Sequence, residues 1–160
     1  MYINFDEYTA LYDPIEERDF NRLVFQACQV VDRFTTGVDG VKKLKVAFPV
    51  DEDSADAVKH CVASVTNLLY QIQEAEKSAF LARGYAETSN GLQGKVVSSV
   101  SAGNESVSFA SGGGSTAVDK AVTNIAERNR LIQSIVREYL SGVTDANGVN
   151  LLYMGVYPRV

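Results

Sequence analysis

Apolar residues recur along this chain at the spacing of helices. From Phe20 to Phe34 they fall at Phe20, Leu23, Ala27, Val30 and Phe34, and Val24, Cys28 and Val31 widen that seam into a stripe. Arg22, Gln26, Gln29 and Arg33 lie on the other side, which is the pattern of a helix packed on other helices. A second seam passes through Val58, Cys61, Val65, Leu68, Ile72, Ala75 and Ala79, broadened by Val62 and Leu69. It predicts a long helix that starts after Asp51–Ser54 and ends near Ala82 or Arg83. A third stripe, Val118, Val122, Ile125, Leu131 or Ile132, Ile135 and Tyr139, predicts one further long helix. Ser115 or Thr116 opens it with Asp119 as the capping-box acid, and Gly142 is placed to end it in a left-handed conformation.

Shorter stretches connect these three. Asn4 to Tyr12 reads as a short first helix, with Asn4 as its cap and Asp6 and Glu7 at its positive end. Asp13 is an N-cap candidate for the next helix, with Pro14 at its first position and Glu16 and Glu17 in its first turn. In residues 37 to 50, Leu44, Val46 and Phe48 alternate with Lys43, Lys45 and Ala47, which suggests a short edge strand. Residues 84 to 114 are rich in Ser and Gly. Within them Val96, Ser98 and Val100, then Val107 and Phe109, flank Ala102-Gly103-Asn104-Glu105 in the manner of a small hairpin. The fold class is therefore mainly α, as one domain over 1–160. Its helical core covers about 4–83 and 115–141, with a hairpin excursion over 84–114 and an extended C-terminal tail over 143–160.

Composition narrows the functional classes. The 160 residues are 46% hydrophobic and 22% charged, the balance of an ordinary globular chain, with a formal net charge of −5. That charge lacks the basic footprint of nucleic-acid binding, and Lys42, Lys43 and Lys45 read as a solvated patch. No apolar run is long enough to span a membrane, and MYINFDEY does not resemble a signal peptide. Cys28 and Cys61 lie on apolar stripes and read as small core residues. With His60, the single histidine, they are too few for a metal site. SGGGST lacks the Gly-Lys-Ser/Thr ending of a phosphate loop, and Asp51, Glu52 and Asp53 read as helix-start residues. No cofactor and no catalysis are expected.

The chain closes on VNLLYMGVYPRV, an apolar run where chain ends are normally polar and frayed. Either it tucks back over its own bundle, or it docks at least partly on another chain. Its tyrosines, Met154 and Arg159 are residue types enriched where partners meet. On the docking reading, residues 149–160 are dispensable for folding.

Taken in order, YINFDEYTALY, FNRLVFQACQVVDRFT, a long middle helix, VSSVSAGNESVSFA and YLSGVTDANGVNLLYMGVYPRV resemble the head-to-tail connector proteins of long-tailed bacteriophages. These are also called adaptor or head-completion proteins, and the resemblance spans nearly the whole chain. It implies a structural virion subunit, assembled in the bacterial cytoplasm, that forms a homo-oligomeric ring, twelve-fold in the virion, beneath the portal. Such a ring joins the portal protein to a stopper or tail-completion protein, and DNA passes through it without sequence-specific binding. By the same resemblance, the candidates for docking the portal or another partner are Leu151, Leu152, Tyr153, Met154, Val156, Tyr157 and Arg159. The candidates for contacts between subunits or toward the tail are Val97, Val100, Asn104, Val107 and Phe109. The long 84–116 region with its GGGS run departs from the simpler members. Two other readings stand beside it: a stopper or tail-completion protein of the same neck region, and a small cytoplasmic helical oligomerisation or regulatory module.

Overall fold

A computed structural model describes residues 1–82, 85–88, 91–94 and 116–158 of the chain. These residues are mainly helical: α1 (Phe5–Thr9), α2 (Glu17–Thr35), α3 (Lys43–Val46), α4 (Glu52–Ala82), α5 (Ala117–Thr123) and α6 (Ile125–Leu140). Two strands, β1 (Tyr85–Thr88) and β2 (Gly91–Gly94), pair antiparallel, with Tyr85 opposite Gly94 and Thr88 opposite Gly91. The expected serine hairpin lies outside the described residues, and so do Val97, Val100, Asn104, Val107 and Phe109.

Helix α4 is the central rod, with α2, α5 and α6 packed against it. The core is built from Phe20, Leu23, Val24, Ala27 and Val31 of α2 and from Val58, Cys61, Val62, Val65, Leu68 and Ile72 of α4, with Ile132, Val136 and Leu140 of α6. These are the sequence's first two seams, closed on each other by the burial of apolar surface. Cys28 and Cys61 are both buried thiols, and burial pushes Cys61 up to about 12. The N-terminal segment runs antiparallel along α2. Tyr2 hydrogen-bonds Asp32 at 2.5 Å near one end, while Phe5 and Tyr8 pack on Phe20 near the other. Asn4 and Glu7 form the capping box of α1, and Thr116 and Asp119 form that of α5.

Four expectations are corrected. Helix α2 begins at Glu17, not after Asp13-Pro14: Ile15 is buried in the core, which keeps the segment extended up to Glu16. The 43–46 stretch is one helical turn rather than an edge strand. A lone strand would leave its ladder unpaired, whereas here Lys42 C=O accepts from the N–H groups of Lys45 and Val46. The third long helix is two helices. Asn124 interrupts it and restarts it, because its side chain accepts from the N–H groups of Ala126 and Glu127. The break shifts the phase of the stripe: Ile132, Val136 and Leu140 are buried, and Ile125 is 75% exposed.

Replacing Leu23 by Ala should lower the stability of the fold by about 2–5 kcal/mol, because the side chain is fully enclosed between helices. Ile125→Ala should change it by less than about 0.5 kcal/mol, as expected of an exposed site. Denaturant titration of the two variants reads both values, and equal losses would contradict the assigned core.

Candidate functional site

After α6 the chain turns at Gly142, whose φ of 82° suits a residue without Cβ. It then knots around Asp145. One carboxylate oxygen accepts from the N–H groups of Asn147 and Val149, both at 2.9 Å, and the other accepts from the Tyr157 hydroxyl at 2.6 Å. Asn147 Nδ2 donates to the same hydroxyl at 2.8 Å. Asp145 is therefore buried with its acceptors used. Burial, reinforced by the Asp145 hydrogen bond, pushes the Tyr157 hydroxyl above the ordinary tyrosine value.

The knot is fastened to the loop between α2 and α4. Lys43 is 0% exposed, and its ammonium donates to the carbonyls of Leu151, at 3.0 Å, and Tyr153. Its Nζ also lies 5.8 Å from the centre of the Tyr153 ring. Burial pushes the ammonium below its ordinary value, while the carboxylates of Asp145 and Asp39 push it back up. Asp39 makes the second fastening: its carboxylate accepts from Tyr157 N–H at 2.7 Å and from Val41 N–H at 3.2 Å. Val38 N–H donates to Met154 C=O at 3.0 Å. Gly37 is needed where the two strands of chain meet, since a Cβ there would lie 2.6 Å from Gly155 C=O.

The C-terminal candidates thus divide into two groups. Leu151 and Tyr157 are sealed into the chain's own fold and Leu152 is half-buried, so for these residues the tail tucks back over its own bundle. The physical reason is backbone satisfaction: the carbonyls of Leu151, Tyr153 and Met154 and the N–H of Tyr157 find partners in the α2–α4 loop, and the N–H groups of Leu151, Leu152 and Tyr153 find theirs at Val143 and Asn150. Tyr153, Met154 and Val156 remain 51%, 54% and 67% exposed, and Val38 beside them is exposed as well. Arg159 lies outside the described residues. Removal of 149–160 would strip buried Leu151 and Tyr157 from the fold, so the truncation should cost stability. The solvated reading of Lys43 is corrected too, whereas Lys42 and Lys45 are exposed.

The result is an apolar edge held on a fixed backbone. Such an edge can bind a complementary apolar surface without first losing the entropy of an ordering tail. Lys43, Asp39 and Gly37 were not singled out from the sequence as site residues. Their roles depend on partners about a hundred positions away, and the only local signal is a lysine inside an alternating apolar stretch. His60 is exposed, its ring 6.4 Å from that of Tyr139. Among the described residues no group of three or more His, Cys, Asp or Glu could hold a metal ion. No helix among them is long and apolar enough to cross a membrane.

Lys43→Met should lower stability by about 1–3 kcal/mol, because it leaves two carbonyls unpaired. Amide exchange in residues 150–157 should speed up more than in α4, and uniform acceleration would contradict the fastening role. Asp39 supplies a pH test. The Tyr157 N–H, chiefly, holds its carboxyl below the ordinary value, so the folded segment binds fewer protons than an unfolded one. The Asp39 contact is therefore complete above about pH 3.9 and is lost as pH falls through the depressed value. The Tyr157 amide resonance should move only in that acid range, and in Asp39→Ala it should already sit at the released position at neutral pH.

No protein-family model, no curated protein and no solved structure matches the chain.

Proposed function

We propose that this chain is a structural subunit of a bacteriophage head-to-tail connector. In this reading it forms a ring under the portal, completes the head, and joins it to a stopper or tail-completion protein. It acts through interfaces rather than catalysis. The reading rests on the order of the sequence motifs together with the helical bundle, and on one observation above the others: the exposed edge Tyr153, Met154 and Val156, carried on a backbone fastened by Lys43 and Asp39. Fastening matters because a stable interface buries about 800 Å² per partner, more than three side chains supply. The edge is then an anchor within a larger contact, and a ring of copies multiplies it through effective concentration. The net charge of −5 suits a ring through which DNA slides instead of being held. The helical content favours this reading over a stopper protein, which resemblance would make richer in strands.

Met154→Ser combined with Val156→Ser tests it, since both side chains are exposed. The double variant should melt within a few degrees of the parent. Its joining to portal-bearing heads should fall at least about tenfold, the effect of losing roughly 1.4 kcal/mol of contact. Undiminished joining by a folded double variant would contradict the docking role.

A further inference from the structure

A second surface uses the neighbours of Lys43 in the α2–α4 loop, Lys42, Leu44 and Lys45. It is a cleft of about 850 Å³ beside the C-terminal half of α2, floored by Cys28, Leu44 and Asp32. Exposed Met1 and Phe25 supply its apolar wall, and Arg33, Lys42 and Lys45 supply its charge. The single carboxylate in it, Asp32, is already engaged by the Tyr2 hydroxyl at 2.5 Å and by Lys45 at 3.4 Å. Arg33 stacks over the Phe34 ring, and among the described residues neither Arg33 nor Lys42 makes an ion pair. In a chain of net charge −5, this is a local cationic site with an apolar wall.

Its complement is on the same chain. The corner between α1 and α2 exposes Leu11 together with Asp13, Glu16 and Glu17, and none of these three carboxylates has an ion-pair partner among the described residues. Along α2 the corner ends at Glu17, and at 1.5 Å per residue Phe25 lies about 12 Å and Arg33 about 24 Å further on. One copy therefore cannot satisfy its own cleft with its own corner, but successive copies can. We infer that the cleft receives the Leu11–Glu17 corner of a second copy of this chain, with Leu11 against Phe25 and Met1 and with Asp13 and Glu16 facing Arg33 and Lys42. Two different faces pairing head to tail generate a ring when the rotation closes. The inference assigns the subunit contact of the ring proposed above and rests on that reading for closure. Charged pairs at such a contact set register and partner choice and weaken with salt.

Sedimentation at low salt tests the pairing with two variants, Arg33→Glu/Lys42→Glu and Asp13→Lys/Glu16→Lys. Lys45 is left unchanged because it neutralises buried Asp32. The parent should self-associate, and each variant alone should do so at least tenfold more weakly. The two mixed should recover association, since each cleft then meets a corner of opposite charge. Thermal melts verify folding, and Arg33→Gln/Lys42→Gln replaces a reversal that fails to fold. A parent that stays monomeric at its highest soluble concentration, or variants whose association ignores these charges, would overturn the pairing and leave docking through Tyr153–Val156 standing. A chain that associates as described but never joins portal-bearing heads would contradict the connector reading alone.

Discussion

The ammonium of Lys43 is the contact on which the shape of the C-terminal third depends. A buried charge is tolerated only where its donors are matched, and here they meet the carbonyls of Leu151 and Tyr153. Carbonyl dipoles can hold the charge without an adjacent carboxylate, and Asp145 and Asp39 add a longer-range attraction. The fastening fixes where residues 151–157 run. The turns of this segment then decide which of its side chains enter the core and which leave it. Leu151 and Tyr157 enter, while Tyr153, Met154 and Val156 leave.

That arrangement presupposes a rigid platform, which the α2–α4 pair supplies. Their two stripes are almost entirely small and branched apolar residues, and they bury each other in one core cluster. Buried hydroxyls such as Thr66 are satisfied within their own helix, by Val62 C=O at 2.8 Å. The α2–α4 loop hangs from both helices and carries Gly37, Asp39 and Lys43 toward the tail. Its outer side carries Lys42 and Lys45 toward the cleft. One short loop thus orders one candidate contact surface and forms part of another.

Where the hydrophobic period was long and unbroken, the sequence read directly. The seam from Val58 to Ile72 is the buried face of α4, and that from Phe20 to Val31 is the buried face of α2. It failed where one polar side chain outweighed the period. Asn124 looks like any residue of a polar face, yet its side chain takes two backbone N–H groups and restarts the helix, which moves the buried stripe off Ile125. Lys43 failed for a different reason. Three lysines in four positions signal a solvated patch by composition, and only a carbonyl 108 residues away makes one of them a core residue. The tail was half legible: its apolar character was plain, but the split between buried and exposed residues depends on those long-range bonds.

The connector reading and the subunit pairing share a physical premise, that the chain reaches its partners with its contact surfaces already formed. The most direct measurement is footprinting of the C-terminal segment before and after assembly on portal-bearing heads. In the free chain the amides of Leu151 and Tyr157 should already exchange slowly while Met154 oxidises readily, and on heads Met154 should become resistant with those amides unchanged. Exchange at the rates of unstructured peptide in the free chain, or a Met154 equally reactive in both states, would contradict the account.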